Sequence, residues 1–308
     1  MYRFTLGLLI CMLACVDAPE EQNAMPSKQT NNKEASRTLS KAFKKYWFAG
    51  DAEISSYTLT QSRYGELRSG DAVLIYVTED FLPNTQVKAN NSGENTIKVL
   101  KLNATKNFKT GIYPYSIMQS TFQPVYTKSQ PLKISASIQE WCGHIYAQLN
   151  KRSNTFKYTG HSYFEGEADT KLDLPQHFTE NEIWTTIRMN PKELPQGKFK
   201  IIPTLEYLSL KHKNNQAYNA NGILTNNEYS LFYPELNRKL IIKFNTKFPH
   251  EILKWEEHFE ANQEQFITTA VKKKTIKSPY WLAKGARLEA VNLVVRVVGR
   301  GGARLDRA

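Results

Sequence analysis

Residues 68–102 read RSGDAVLIYVTEDFLPNTQVKANNSGENTIKVLKL, and this stretch decides the fold. It contains two apolar runs rich in β-branched residues, Ala72–Thr78 and Thr96–Leu102. Such runs favour strands. Asn90–Gly93 lies between them, Arg68–Asp71 precedes the first, and both have the composition of turns. The stretch therefore predicts β-strands separated by turns.

Similar strand-like runs recur along the chain, about eleven in all, without the alternation of strands and helices that marks a parallel sheet. This pattern predicts a mainly β fold, an antiparallel sandwich, barrel or half-barrel with one or two short helices. Besides the two runs above, the predicted strands are Ala52–Leu59, Tyr115–Val125, Leu132–Ile138 continuing through Ile145, Thr155–Tyr163, Lys198–Leu210, Gly222–Thr225, Tyr229–Tyr233, Lys239–Asn245 and Phe266–Ile276.

Three segments have helical patterning instead. Thr179 and Glu182 form the sequence of a capping box and predict a helix over Glu180–Met189. Pro249–Asn262 carries apolar residues at helical spacing and predicts a second helix. Ser36 could begin a shorter one that docks on the domain.

The N-terminus has the features of an export signal. Arg3 gives a positive start, and Phe4–Ala14 is an apolar run of eleven residues, too short to span a bilayer. The run ends in Met12–Cys15, which resembles a bacterial lipobox, so we expect residues 1–14 to be removed and Cys15 to be acylated. The alternative is an ordinary secretory signal cut near Ala14 or Ala18.

The remaining chain divides into three parts by composition. Residues 15–37 are polar and predict a flexible tether, and residues 38–284 contain the β-rich domain. Residues 285–308 hold five Arg and no Lys, unlike the Lys-rich chain before them, and this composition predicts an atypical tail that is not native. The alternative is a real basic C-terminal strand or helix. These parts predict a protein of the bacterial cell envelope, lipid-anchored in the outer membrane on its periplasmic or surface face.

The charge of the chain bounds its partners. The net charge is +12 and the pI is near 9.4, with the lysines scattered through strand-like segments. Scattered lysines indicate a solvated surface rather than a nucleic-acid patch. Besides membrane lipid at the acylated N-terminus, we expect a glycan, a lipid or another envelope protein as ligand, and no nucleic acid.

The most reactive-looking group is Trp141–His144. Cys142 and His144 could form a thiolate nucleophile and its base, with Glu140 as a third member. A buried, inert Cys142 is the more common arrangement. Of the three cysteines, Cys11 lies in the signal and Cys15 is the acylation site, so no disulfide framework is expected.

A second group is the acidic run from Glu165 to Asp169. Glu165, Glu167 and Asp169 share one face if the run is a strand, which would suit Ca²⁺ or paired acid–base chemistry. A solvated loop is the simpler interpretation. The six histidines do not fall at metal-ligand spacing, and we expect neither a metal site nor a cofactor.

Aromatic residues could line a groove that stacks on sugar rings, although most aromatic residues belong to cores. The residues considered are Tyr46–Phe48, Trp141, Trp184, Trp255 and Tyr280–Trp281.

Three runs, Tyr46–Tyr57, Arg63–Ile75 and Ser137–His144, resemble uncharacterised envelope lipoproteins of Gram-negative bacteria. The resemblance covers about Lys44 to Trp281. Members are often labelled "septum formation inhibitor Maf", but this chain lacks both the N-terminal loop and the parallel α/β pattern of the true Maf nucleotide pyrophosphatases. The resemblance implies an exported lipoprotein and transfers no catalytic residues.

Two functions follow as hypotheses. The first is a lipoprotein whose β domain binds a ligand or partner, with weak candidate residues Trp141, Glu165 and Glu167. The alternative is an envelope hydrolase that uses Cys142 and His144 or the Glu165/Glu167 pair.

Overall fold

The computed structural model describes residues 35–261 and 264–282, all within one compact unit. The predicted mainly β fold is confirmed. The strands are β1 Ala52–Arg63, β2 Glu66–Leu82, β3 Val87–Lys88, β4 Ile97–Thr110, β5 Tyr113–Pro124, β6 Lys133–Glu140, β7 Gly143–Arg152, β8 Thr155–Ser162, β9 Thr170–Pro175, β10 Phe178–Thr179, β11 Gly197–Ile202, β12 Tyr218–Leu224, β13 Glu228–Tyr233, β14 Arg238–Phe244, β15 Ile252–Ala261 and β16 Glu264–Ser278. The α-helices are α1 Lys41–Trp47, α2 Glu180–Met189 and α3 Leu205–Leu210, and short 3₁₀ helices span Pro191–Glu193, Pro234–Leu236 and Tyr280–Leu282.

The described strands form one open sheet. Its order is β10-β11-β12-β13-β14-β15-β16-β1-β2-β4-β5-β6-β7-β8-β9, with β3 paired to β2 beside this path. All neighbours are antiparallel except β10 and β11. β16 pairs with β1, so the C-terminal strands continue the sheet that the N-terminal strands form. The two ends of the strand order, β10 and β9, therefore come from the middle of the chain. A single open sheet corresponds to the half-barrel among the predicted alternatives.

The core lies on one face of this sheet, around the helices. One hydrophobic cluster contains inward side chains from both halves of the sheet together with residues of all three α-helices. Ile183 and Ile187 of α2 are fully buried in it, and each such burial contributes roughly 1.5–3 kcal/mol. The sheet therefore curves around α2 and α3, which occupy its inner face.

The predicted helix α2 is confirmed, together with its capping residue. The side chain of Thr179 accepts a hydrogen bond from the Glu182 N–H, and the helix ends before Asn190 and Pro191 as expected. Two buried ion pairs fix it to the sheet: Glu180 with Arg238, and Arg188 with Glu53. The first helix begins after Ser40 rather than after Ser36.

Four local predictions were wrong. Within the segment predicted as a helix over Pro249–Asn262, Ile252–Ala261 form β15 instead, and a bulge where the pairing passes from Ile252 to Lys254 turns Ile252 and Trp255 to the same face. The predicted strand to Leu210 ends at Ile202 and is followed by α3. The remaining two corrections concern turns. Arg68–Asp71 lies within β2, and the run continued through Ile145 is broken by a turn at Trp141–Cys142.

Gly70 explains the first of these turn corrections. A Cβ placed on Gly70 would lie 2.3 Å from the carbonyl oxygen of Asn107, on the neighbouring strand β4. The glycine therefore allows two strands to approach closely and does not make a turn.

The ends of the chain are described only in part. The predicted signal, Cys15 and the atypical tail at 285–308 lie outside the described residues. Contacts with the domain begin inside the segment predicted as tether: Ser36 bridges to Thr127, and Arg37 bonds to Glu193. No α-helix in the described ranges has the length and apolar character to cross a membrane.

Candidate functional site

Alternate hairpins of the meander bring their turns to one end of the sheet. The turns after β1, β4, β6 and β8 lie at this end because neighbouring strands are antiparallel. The other half of the sheet contributes α3 and the loop that follows it, which connect the end of β11 to the start of β12. We call this end of the domain the rim. It is defined by Tyr64–Gly65, Gly111–Ile112, Trp141–Cys142, residues 163–169 and residues 209–215.

The rim contains a groove formed by two adjoining cavities. The first has a volume of about 470 Å³ and the second about 300 Å³. They share Ile145, Ser209 and His212 in their walls, so they form one elongated depression, called here the rim groove. Cavities of roughly 300–1,000 Å³ are typical of sites for small molecules.

One histidine–carboxylate pair stands in the first cavity: Nδ1 of His212 lies 2.5 Å from a carboxylate oxygen of Glu167. A second pair, His161 with Asp169 at 2.8 Å, lies beside the cavity, where His161 is opposite Tyr146 on the outer face of β8. The first pair joins the loop after α3 to the loop after β8, across the groove. The hydrogen bond from His161 lowers the pKa of Asp169. Both pairs present hydrogen-bonding groups whose charges compensate each other when histidine is protonated.

The second cavity is lined by phenol rings and cations. The Arg63 guanidinium lies 4.3 Å from the ring centroid of Tyr64, and the Tyr64 and Tyr115 hydroxyls are 3.0 Å apart. Burial, with the nearby Arg63, lowers the pKa of Lys211 to about 8. Its Nζ lies 3.7 Å from the ring centroid of Phe259. Lys211 is therefore partly uncharged near neutral pH, in contrast to an ordinary surface lysine.

A buried ion network holds α3 in place below this groove. Lys106 donates to Glu206 at the start of α3 and to Glu257 on β15, at 2.9 and 3.1 Å. Gln119 donates to the second oxygen of Glu206. Because these groups are buried, removing one partner would leave a charge without compensation. The network therefore fixes α3 in position. Lys211 and His212, which directly follow this helix, are thereby placed in the groove.

The structure separates the members of the predicted thiol site. Alternation along β6 turns Glu140 to the inner face, whereas His144 on β7 is exposed on the outer face. Cys142 is exposed in the turn between them, and its N–H donates to Glu140. The hydrogen bond to Glu140 raises the pKa of the Cys142 thiol. The position of His144 on the outer face and the raised pKa of Cys142 both disfavour a thiolate with a histidine base.

The other predicted site residues lie at or near the rim groove. Glu140 lines the second cavity, and Glu165 and Glu167 line the first. The run from Glu165 to Asp169 is a loop and not a strand, so its carboxylates do not share a strand face. Trp141 is exposed at the rim, whereas Trp47 and Trp255 are buried core residues.

Sequence reasoning missed His161, His212 and Lys211. Their spacing carries no motif, because the fold brings together segments about fifty residues apart in the chain. The one usable signal was the polar run Lys211–Asn215 after a short apolar segment. Among the described residues, no group of three or more His, Cys, Asp and Glu side chains is arranged to hold a metal ion.

Comparison with known proteins finds no matching family model, no matching curated protein and no matching solved structure. Functional conclusions therefore depend on the geometry and on the sequence.

Proposed function

We propose that this protein is a lipid-anchored protein of the bacterial cell envelope that acts by binding a polar ligand in the rim groove. Acyl chains on Cys15 would hold it in the outer membrane, on the periplasmic or the surface face. Two acyl chains suffice for stable anchoring where one does not. The proposal assigns recognition, and no reaction, to the β domain.

The observation that carries the binding proposal is the rim groove itself. Ile145, Leu172 and Leu208 give its first cavity apolar surface, while the His212–Glu167 pair provides oriented polar atoms. Apolar surface with a few convergent polar groups is the usual composition of a ligand site. The hydrogen bond within this pair also reduces the motion of side chains that a ligand would meet.

A panel of soluble compounds tests the binding proposal. The full chain in detergent solution is screened against sugars, nucleotides, amino acids and lipid headgroups by thermal shift and calorimetry. We expect a ligand whose affinity falls at least tenfold in His212→Ala. His144→Ala removes an exposed histidine from the outer face and is the matched control. If nothing binds, or if both variants behave alike, the rim groove is not the site.

The anchor is tested separately. Cells that express the protein are labelled with a radioactive fatty acid, and the protein is then isolated. The wild-type protein should carry label and fractionate with membranes, and Cys15→Ser should lose the label. Unlabelled wild-type protein with its first fourteen residues intact would refute the anchoring proposal.

A further inference from the structure

Aromatic side chains form an arc along the rim, beside the rim groove. We infer that this arc and the groove together bind a carbohydrate chain, by stacking sugar rings on the aromatic faces and bonding hydroxyl groups in the groove. This inference rests on the proposed function and names the class of its ligand.

Contacts between successive hairpins establish the arc. The Tyr64 and Tyr115 hydroxyls are 3.0 Å apart, the rings of Tyr115 and Tyr113 are 6.3 Å apart, and those of Tyr113 and Trp141 are 6.2 Å apart. The first step crosses from the β1–β2 turn to β5, the second stays within β5 because Tyr113 and the buried Tyr115 both belong to it, and the third reaches the turn after β6. Trp141 is 68% exposed, so one face of this large ring is free for a ligand. Unpaired aromatic surface of this kind marks interaction sites.

The arc continues past Gly143 to the first cavity. A Cβ on Gly143 would lie 2.8 Å from ring and Cβ atoms of Tyr163, so the absent side chain is what lets Tyr163 lie against this turn. Tyr163 and Phe164 are in edge contact, and Phe164 makes a second edge contact with His212. Tyr163 is 74% exposed. The aromatic arc therefore runs from Tyr64 to the histidine that pairs with Glu167.

The polar groups next to the arc suit hydroxyl groups. Asn214 and Asn215 offer both donors and acceptors in the first cavity, and the His212–Glu167 pair does the same. Neutral hydroxyls can use such mixed groups, since each hydroxyl both donates and accepts. An acyl chain in the groove would cover these polar groups without offering them hydrogen bonds. Each polar group covered in this way would make the free energy of binding less favourable.

Charge argues against a strongly anionic ligand. Arg63, the strongest cation of the groove, already donates to the carbonyl of Leu210 and lies over tyrosine rings. Lys211 and Lys213 also line the groove, and burial lowers the pKa of Lys211 to about 8, which makes its charge easier to lose. Glu140, Glu165 and Glu167 line the same groove and would repel phosphates. A neutral sugar chain fits this balance.

The experiment uses soluble hexasaccharides of glucose, mannose, galactose and N-acetylglucosamine, each with its disaccharide. Binding to the full chain in detergent solution is measured by calorimetry and by tryptophan fluorescence. We expect at least one hexasaccharide to bind more tightly than its disaccharide, because it covers more of the arc. Trp141→Ala should weaken it about tenfold, the loss expected for one stacking ring. Tyr126→Ala, which removes an exposed ring from the opposite end of the sheet, should leave it unchanged.

The outcomes separate this inference from the proposed function. The inference is overturned if no hexasaccharide binds. It is also overturned if neither Trp141→Ala nor Tyr163→Ala weakens the binding of a hexasaccharide. If a nucleotide, amino acid or lipid headgroup binds and requires His212 while no sugar binds, the groove remains a site but the carbohydrate assignment is wrong. If Trp141→Ala reduces binding to anionic phospholipid vesicles and no sugar binds, the arc is a membrane surface and the inference is again wrong.

Discussion

Glu182 offers a sharp test of the packing of α2, the helix around which the sheet curves. This carboxyl lies in the first turn of the helix and is buried, and the Thr179 hydroxyl is its hydrogen-bond donor at 3.2 Å. Burial, partly offset by the Thr179 bonds and by Lys151, raises the pKa of Glu182 from an ordinary 4.5 to about 8. The folded protein therefore holds a proton there at neutral pH.

The sign of the pH effect follows from proton linkage. Below pH 4.5 both the folded and the unfolded protein carry the proton, and this contribution to stability is complete. As the pH rises to about 8, only the unfolded chain releases it, so the free energy of unfolding falls. The slope is about 1.4 kcal/mol per pH unit, which gives a total loss on the order of 5 kcal/mol across this range.

Glu182→Gln should remove this pH dependence, because an amide has the shape of the protonated carboxyl and does not ionise. Urea unfolding at pH 5, 7 and 9 measures the difference. We expect similar stabilities at pH 5 and a variant that is more stable by several kcal/mol at pH 9. Glu94→Gln changes an exposed carboxylate and is the control. Parallel profiles for wild type and Glu182→Gln would refute the reasoning.

Three further predictions follow from the same contacts. Arg188→Met should cost roughly 3–5 kcal/mol in urea unfolding, because it leaves the buried Glu53 carboxylate without its paired cation, and Arg188→Met/Glu53→Leu should recover part of that loss. An Arg188→Met variant that is as stable as the wild type would contradict the pairing. Thr179→Ala should cost about 1 kcal/mol in the same measurement through loss of the α2 cap. Cys142 should react with iodoacetamide at pH 7.5 more slowly than free cysteine, since its pKa is raised, and Glu140→Gln should accelerate the reaction as followed by mass spectrometry. Fast alkylation of the wild-type thiol would show that it is a reactive thiolate.

Much of the fold could be predicted because alternation along strands is a local property. The strand at Tyr229–Tyr233 and the capped helix α2 depend on neighbours in sequence, and both were predicted correctly. The prediction of a helix at Pro249–Asn262 was wrong. A residue and the third one after it share a face in a helix, and the bulge in β15 places Ile252 and Trp255 on one face of the strand in the same way. A bulge depends on the partner strand, which the sequence of one segment does not specify.

The site was predictable only in part. Glu140, Glu165 and Glu167 were noticed for their carboxyl groups, and each lines the rim groove. The partner of Glu167 is His212, which approaches it only because α3 crosses the end of the curved sheet. The same holds for Lys211, whose lowered pKa depends on burial and on Arg63. Pairings between distant segments carry no signal in a single sequence.

Histidine ring signals in an NMR titration test most directly whether the rim groove is the binding site. The full chain in detergent solution is titrated with the tightest-binding compound of the panel, and each ring is assigned by substitution. Occupation of the groove predicts a large shift for His212, with His144 and His258 unchanged because neither of them lines the groove. Saturable binding that leaves the signal of His212 in place would contradict the account.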